Sequence, residues 1–492
     1  MRGKQGKEGG AGAHARQYSG RAHGGCDTAE RFDAIIIGAG QAGPALAARL
    51  DREGLKSAVI ERKLVGGTCV NTGCIPTKTL VASARAAHMA RRGAEFGFSA
   101  GEVRVDMAAV KRRKDTVVKQ SVDGVTKWIM GLKHVQLIRG HARFTGAHML
   151  AVDGRQLEAE RIFINVGGRA VVPDIPGLAG VPFLTNTSMM DVDQVPEHLV
   201  IVGGSYIGLE FAQMYRRFGA EVTVVERAPK LLPREDDDVA AGIRDILECE
   251  GIVIRTGADC MQLSRRGDRI AVGLSCREGP PLAEGSHVLM AVGRVPNTQD
   301  LGLDAAGIAT DARGYIQVDD QCRTNVEGVW ALGDANGRGA FTHTSYNDYE
   351  IVAANLFDGD ARRLTDRIPC YALFIDPPLG RAGMNEAEAR ASGRRVLAAK
   401  MPMTRVGRAR EAGETQGFMK VLVDADSQAL LGASLLGLNA DEIVHVLLDV
   451  MYANRPYTTI QRAMHIHPTV SELVPTLLGG LAPLSDPGAR KG

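Results

Sequence analysis

The 492-residue chain is poor in cysteine, has no long apolar run and carries almost no net charge. Its eight cysteines, at 26, 69, 74, 249, 260, 276, 322 and 370, are too sparse for a disulfide-stapled secreted scaffold. Only Cys69 and Cys74 stand at a motif spacing, which suits a reducing cytoplasm where a disulfide is more often catalytic than structural. No apolar stretch reaches the length of a membrane-spanning helix, so no membrane role is expected. A formal charge of +2 gives no bulk field for nucleic acid or an anionic surface. The first 30 or so residues lack the apolar core of a secretory signal. They are rich in Gly, Arg, Lys and His without apolar periodicity, so residues 1–31 are expected as a disordered leader. Cys26, within it, is expected to be an incidental flexible thiol.

What is present is an ordinary globular composition, 45% hydrophobic and 24% charged, on a chain long enough for two or three domains. The most informative run is Gly66-Gly67-Thr68-Cys69-Val70-Asn71-Thr72-Gly73-Cys74-Ile75-Pro76-Thr77-Lys78-Thr79-Leu80. Five residues of regular helix rise about 7.5 Å, beyond the ~7 Å Cα separation of an unstrained disulfide. Gly73 and the polar pair Asn71-Thr72 supply a bend through which the sulfurs can meet. A bond strained and held open to reagents is easily reduced.

Two dinucleotide fingerprints flank this segment. Asp33-Ala34-Ile35-Ile36-Ile37 is a buried parallel strand leading into Gly38-Ala39-Gly40-Gln41-Ala42-Gly43, a helix over 41–52, and a strand over 57–60 that ends at Glu61. Gly38, Gly40 and Gly43 let the backbone approach a pyrophosphate at a helix N-terminus, and Glu61 can bind ribose hydroxyls. A second unit has a strand over 198–202, the turn Gly203-Gly204-Ser205-Tyr206-Ile207-Gly208, a helix over 209–218 and a strand over 221–225 ending at Glu226. Ser205 replaces the middle glycine there. Two such units imply two dinucleotides.

The cysteine run with its Gly-Gly-Thr and Ile-Pro-Thr-Lys flanks resembles the redox segment of the flavin-dependent pyridine nucleotide-disulfide oxidoreductases, the group of glutathione reductase, dihydrolipoamide dehydrogenase and mercuric reductase. Two further segments are similar to the same family: residues 324–334, ending Leu332-Gly333-Asp334, and His465-Ile466-His467-Pro468-Thr469-Val470-Ser471-Glu472. The resemblance covers residues 32–482. It implies an α/β fold with two Rossmann-like domains and a C-terminal α+β dimerisation domain. The expected layout is FAD-binding over 32–184 and 315–366, NAD(P)-binding over 185–314, dimerisation over 367–482 and a tail over 483–492; in the third domain the pattern gives strands over 418–423 and 430–436 and helices over 441–454 and 472–478.

The resemblance also implies roles. FAD occupies the first unit, touching Gly67, Thr68, Gly333, Asp334 and the backbone of Thr342. A nicotinamide occupies the second, framed by Gly203, Gly204, Gly208 and Gly293. Glu226 suits the free ribose hydroxyl of NADH, while Arg227 offers NADPH a foothold. Electrons then reach a Cys69–Cys74 disulfide, with Cys74 the charge-transfer thiol and Cys69 the interchange thiol. Only a thiolate attacks, so both should sit where the local field lowers their pKa, near the helix that begins around Pro76. Lys78 and Glu210 correspond to an ion pair beside the flavin, and Tyr206 to an aromatic lid over the nicotinamide pocket. His467, oriented by Glu472, is the base that a homodimer partner supplies to Cys69. Pro468 holds His467 out of a helix, and Thr469-x-x-Glu472 has the form of a capping box. No resident metal site is expected. The acceptor is expected to be a soft metal ion, as in mercuric reductase. A dihydrolipoamide dehydrogenase-like disulfide substrate is the alternative, and a non-catalytic redox sensor the reading of another class.

Overall fold

The computed structural model describes residues 29–275 and 280–485. Most of the expected leader, including Cys26, and most of the expected tail lie outside them.

The first sheet is assembled around Glu30–Ile37, whose residues Ala34 to Ile37 are 0–4% exposed. Parallel strands are covered on both faces, which is why this one is a continuous apolar run rather than an alternating one. The sheet runs Val135–Arg139, Ser57–Glu61, Glu30–Ile37, Arg155–Ile164, Met149–Val152, Ala142–Gly146, and Val329–Ala331 also pairs with Arg155–Ile164. Ile35 lies opposite Ala58 on one side and Ile162 on the other. The distant strand Val329–Ala331 joins in parallel, Trp330 opposite Phe163, with their rings stacked at 5.0 Å. Three strand ends therefore finish side by side: Asn165 N donates to Ile37 O at 2.8 Å and Leu332 N to Ile164 O at 2.9 Å.

The second parallel sheet runs Val253–Arg255, Glu221–Val225, His198–Val202, His287–Met290. Helix Tyr206–Phe218 begins at its glycine turn, three residues earlier than the apolar pattern indicates. A short antiparallel pair, Gly168–Ala170 with Arg294–Pro296, ties this unit to the first. The third sheet is antiparallel, in the order Cys370–Leu373, Leu379–Gly383, Leu430–Leu436, Phe418–Asp424, Val396–Pro402, Ala482–Pro483, and helix Ala440–Tyr452 packs on it. No helix among the described residues is long and apolar enough to cross a membrane.

Three expectations need correction. The leader ends earlier than residue 31, because Glu30 and Arg31 already pair with Leu157 and Glu158. The tail does not begin at 483: Ala482–Pro483 forms an edge strand against Leu397 and Ala398, and Leu484 N donates to Val396 O at 2.9 Å. The expected helix over 472–478 splits into a 3₁₀ turn, Ser471–Leu473, and a short helix, Val474–Leu478. Pro475 has no N–H to continue the ladder and sits where a helix tolerates it, in a first turn.

Candidate active site

The redox turn is laid directly on the first glycine turn. Gly66 N donates to Ala39 O at 2.9 Å. Gly67 has φ of 61°, and a Cβ there would sit 2.8 Å from Gly40 Cα, so only glycine allows the contact. Helix Gly67–Asn71 carries Cys69, then stops; helix Cys74–Arg91 starts at Cys74. The turn between them folds back so closely that a Cβ on Gly73 would lie 2.9 Å from Thr68 O. Asn71 Nδ2 pins the turn by donating to Val65 O at 3.0 Å and Gly67 O at 2.8 Å.

Cys69 and Cys74 are both free thiols that line one cavity. The neighbouring Cys69 side chain is the largest influence on Cys74. With the Thr342 hydroxyl and the Lys78 cation it outweighs burial and brings the Cys74 thiol down to about 6. The Cys74 side chain and burial push Cys69 up, against the expectation that the local field lowers both thiols. The pair is therefore asymmetric, Cys74 biased toward thiolate and Cys69 toward thiol. The Thr342 hydroxyl lies 3.1 Å from Cys74 Sγ. The sequence pointed only to the backbone of Thr342.

Lys78 stands one turn along the same helix as Cys74. Its Nζ donates to Glu210 Oε2 at 2.7 Å and lies 4.3 Å from the centre of the Phe374 ring. Glu210 is only 7% exposed and its other oxygen accepts from Phe374 N at 3.0 Å. This buried carboxylate belongs to the second unit, so the ion pair joins the two halves of the site.

A cavity of about 550 Å³ runs from Glu61 past Gly38, Gly40 and Gly67 to Cys69, Cys74 and Lys78, and on to Asp334 and Thr342. Glu61 accepts from Ala39 N at 2.9 Å and Lys63 N at 2.7 Å. Gly38 and Gly43 face protein: added Cβ atoms would come within 2.3 Å of Asn165 O and 2.6 Å of Gly38 O. Gly40 meets nothing nearer than 3.5 Å on the protein side, leaving its open face to a ligand. Asp334 is held by Arg294 at 3.3 Å, and burial pushes its carboxyl up. Gly333 N donates to the buried Asp348 carboxylate at 2.6 Å, which fixes the turn presenting Asp334. The size of this cavity, the bare face of Gly40 and the acids at its two ends fit FAD.

At the second turn, Glu226 accepts from Gly204 N at 2.6 Å and Ala228 N at 2.7 Å. Cβ atoms on Gly203 and Gly208 would come within 2.4 Å of Ala291 O and 2.1 Å of Gly203 O. Gly293 follows Ala291 at the next strand end, where its carbonyl accepts from Val171 N at 2.9 Å. Arg227 is exposed. Tyr206 lines the large cavity and packs edge-on against Tyr371 at 5.5 Å and Phe341 at 6.1 Å. Thr68, also expected near the cofactor, lines the cavity as well.

His467 and Glu472 are brought together but not brought to the cysteines. His467 Nδ1 lies 2.9 Å from Glu472 Oε2, and His467 is not among the cavity residues. Its side chain is 81% exposed, and Met464 and Ile466 beside it are 99% and 80% exposed. The capping box is only half made: Glu472 N donates to Thr469 Oγ1 at 3.2 Å, while the Glu472 carboxylate turns to His467. Sequence reasoning missed Asp348, Arg294, Glu235 and Tyr371, whose partners are all remote in the chain. One acidic group, Asp236, Asp238 and Glu386, has the spacing of metal ligands, yet Lys420 Nζ already fills its centre at 2.7–2.8 Å from each.

Residues 32–348 match the family described as pyridine nucleotide-disulphide oxidoreductase, and residues 370–478 match its dimerisation domain. The chain is 37% identical over 452 residues to the probable pyridine nucleotide-disulfide oxidoreductase RclA of Escherichia coli, covering 90% of this chain and 97% of that one. It is 34% identical to a dihydrolipoyl dehydrogenase of Thermus scotoductus (90% and 95% covered) and 31% identical to a mercuric reductase of Bacillus cereus (84% and 66%). A solved structure described as a Cu(II) complex of the HOCl-induced flavoprotein disulfide reductase RclA from Escherichia coli superposes with a TM-score of 0.83 at 36% identity, covering 91% of this chain and 99% of that one. With its two glycine-turn units, its paired cysteines and these matches over most of its length, the chain belongs to the pyridine nucleotide-disulphide oxidoreductases, a family of enzymes that bind FAD and NAD(P)H.

Proposed function

We propose that this oxidoreductase carries electrons from NADH through FAD and the Cys69/Cys74 pair to a soft metal ion, copper(II) or mercury(II). FAD, when bound, supplies the two-electron relay between nicotinamide and sulfur. Glu61, Gly40, Gly67 and Asp334 hold it, and Lys78, fixed by Glu210, sets a cation beside its reactive end. Glu226 favours the free ribose hydroxyl of NADH. Tyr206 gates the nicotinamide pocket.

The observation that carries the acceptor reading is the asymmetric dithiol. Cys69 and Cys74 line one cavity as free thiols, with Cys74 pulled down to about 6 and Cys69 pushed up, so two sulfurs can meet one soft cation. The Cu(II) named in the relative's structure and the mercuric reductase among the relatives support this. Oxidation of the thiol–thiolate pair to a disulfide gives up two electrons and the Cys69 proton, enough to reduce one Hg(II) to Hg(0) or two Cu(II) to Cu(I).

The second reading, a disulfide acceptor such as lipoamide, has its own observation. His467 is poised on Glu472 at 2.9 Å, as a base for thiol–disulfide exchange would be. In a homodimer built through residues 367–482, His467 of one copy would serve Cys69 of the other. The domain layout that accompanies either reading is FAD-binding over 32–184 and 315–366 and NAD(P)-binding over 185–314, in a cytoplasmic enzyme.

Anaerobic reoxidation of the NADH-reduced protein separates the two. Fast reoxidation by Cu(II) or Hg(II) is expected. Fast reoxidation by lipoamide alone would reject the metal reading.

A further inference from the structure

We propose that Glu235 is a positioning residue that latches Tyr206 over the nicotinamide site and ties its opening to the C-terminal sheet. The inference rests on Tyr206 being the gate.

Glu235 lies in the loop after the second unit's last acid. Its side chain is fully buried, and one oxygen, Oε1, takes two phenols: Tyr206 Oη donates at 3.1 Å and Tyr371 Oη at 2.5 Å. Burial pushes both phenols up, so both stay protonated and donate. The other oxygen, Oε2, is ion-paired with Arg381 Nε at 3.0 Å but accepts no hydrogen bond among the described residues. Arg381 is itself buried and anchored, with Nη1 donating to Ala433 O and Ser434 Oγ, each at 2.7 Å. Tyr371 is fixed as well, stacked on Phe341 at 5.5 Å and 9°.

The two phenols differ in what they are attached to. Tyr371 and Arg381 belong to the antiparallel strands Cys370–Leu373 and Leu379–Gly383. Tyr206 is the first residue of helix Tyr206–Phe218, and its ring projects into the large cavity. A buried carboxylate stripped of all its donors is costly, but one that keeps Tyr371 and Arg381 is not. Tyr206 can therefore leave while Glu235 keeps the Tyr371 hydrogen bond on Oε1 and the Arg381 counter-charge beside Oε2. Tyr371 is the understudy that makes release cheap, and Tyr206 is the movable half of the latch.

This gives opposite signs for two substitutions that remove one hydroxyl each. Tyr206→Phe keeps the ring and loses the latch, so the closed state is less populated and NADH binds more tightly. Tyr371→Phe removes the understudy, so Tyr206 becomes harder to release and NADH binds more weakly. Each shift is about tenfold, the scale of one hydrogen bond to a charged group.

The test is the rate of flavin reduction against NADH concentration in the FAD-loaded protein, which separates apparent Kd from limiting rate. Tyr206→Phe is expected to lower the Kd and Tyr371→Phe to raise it, with the limiting rate changed far less in each. Shifts in the same direction, or none in Tyr206→Phe, overturn the latch. Tyr206→Ala, which removes the ring, separates that failure from failure of the gate: unchanged Kd in Tyr206→Ala rejects Tyr206 as gate, and a changed Kd there with none in Tyr206→Phe rejects only Glu235. If Tyr371→Phe does not fold, Tyr206→Phe alone still decides.

Discussion

The two glycine turns, residues 38–43 and 203–208, are alike where they face protein and unlike where they face a ligand. In each, the first glycine has a positive φ, 104° and 117°, and presses on the carbonyl of a neighbouring strand end. In each, the last glycine lets the helix sit on the first glycine's own carbonyl. In each, an acid 22 residues on accepts a turn N–H, Glu61 from Ala39 and Glu226 from Gly204. The middle position differs. A Cβ on Gly40 would meet nothing nearer than 3.5 Å, and Ser205 sits in extended backbone at φ −112° with no steric demand for glycine. The outer glycines therefore belong to the fold, and the middle one belongs to the ligand.

That division can be broken first at the outer positions. Gly38→Ala and Gly208→Ala each put a Cβ within 2.3 Å or 2.1 Å of a backbone carbonyl, and each should cost about 3 kcal/mol or more in denaturant unfolding, since backbone cannot move aside as a side chain can. A loss under ~0.5 kcal/mol in either would contradict the assignment. Gly40→Ala should behave oppositely. Stability of the flavin-free protein should hold to within ~0.5 kcal/mol while FAD binding falls by about tenfold or more, one close contact's worth.

The acids come next. Glu226→Ala should raise the KM for NADH about tenfold, with less effect on NADPH, as one hydrogen bond to a charged group is lost. An unchanged ratio of kcat/KM for the two nucleotides would remove Glu226 from the choice between them.

Only the first unit carries a cysteine turn, and its titration sharpens the contrast. Cys74 lies below the ordinary thiol value, so its thiolate persists above about pH 6 and is lost as pH falls through that value. The thiolate absorbance of the reduced protein, taken as a difference against Cys74→Ser, should show a midpoint near pH 6. A midpoint above pH 8 would mean that the field of Cys69, Thr342 and Lys78 is not felt. The smallest effect is expected of Ser205→Gly, a few-fold tightening of NADH with unaltered stability, since one small hydroxymethyl group is removed from the ligand side.

Local pattern carried much of this into the sequence. The strands His198–Val202, Glu221–Val225 and Leu430–Leu436 stand where apolar runs bounded by turn residues put them. The bend at Gly73 follows from residue types within five positions. What was illegible depends on long-range closure. Nothing near Glu235 in the chain announces Tyr371 or Arg381, 136 and 146 residues away. Asp348 could not be tied to Gly333 without the helix that returns it. Helix Ala440–Tyr452 ends two residues before the apolar pattern does, because Asn454 takes a left-handed φ of 50°. The divided roles of Thr469 and Glu472 needed coordinates, since one motif serves both a cap and a histidine. The stretch around Met464, Ile466 and His467 has a sequence signal, yet among the described residues Met464 and Ile466 stay exposed and His467 meets only Glu472.

The central claim is that electrons leave this protein through Cys74 and Cys69. Its most direct test is single-turnover reoxidation of NADH-reduced Cys74→Ser by Cu(II) under anaerobic conditions, beside the parent protein. The parent should reoxidise rapidly, and Cys74→Ser should take up electrons from NADH but release them at least a hundredfold more slowly, about 2.7 kcal/mol in the barrier. Equal rates in the two proteins would show that the sulfurs are bystanders.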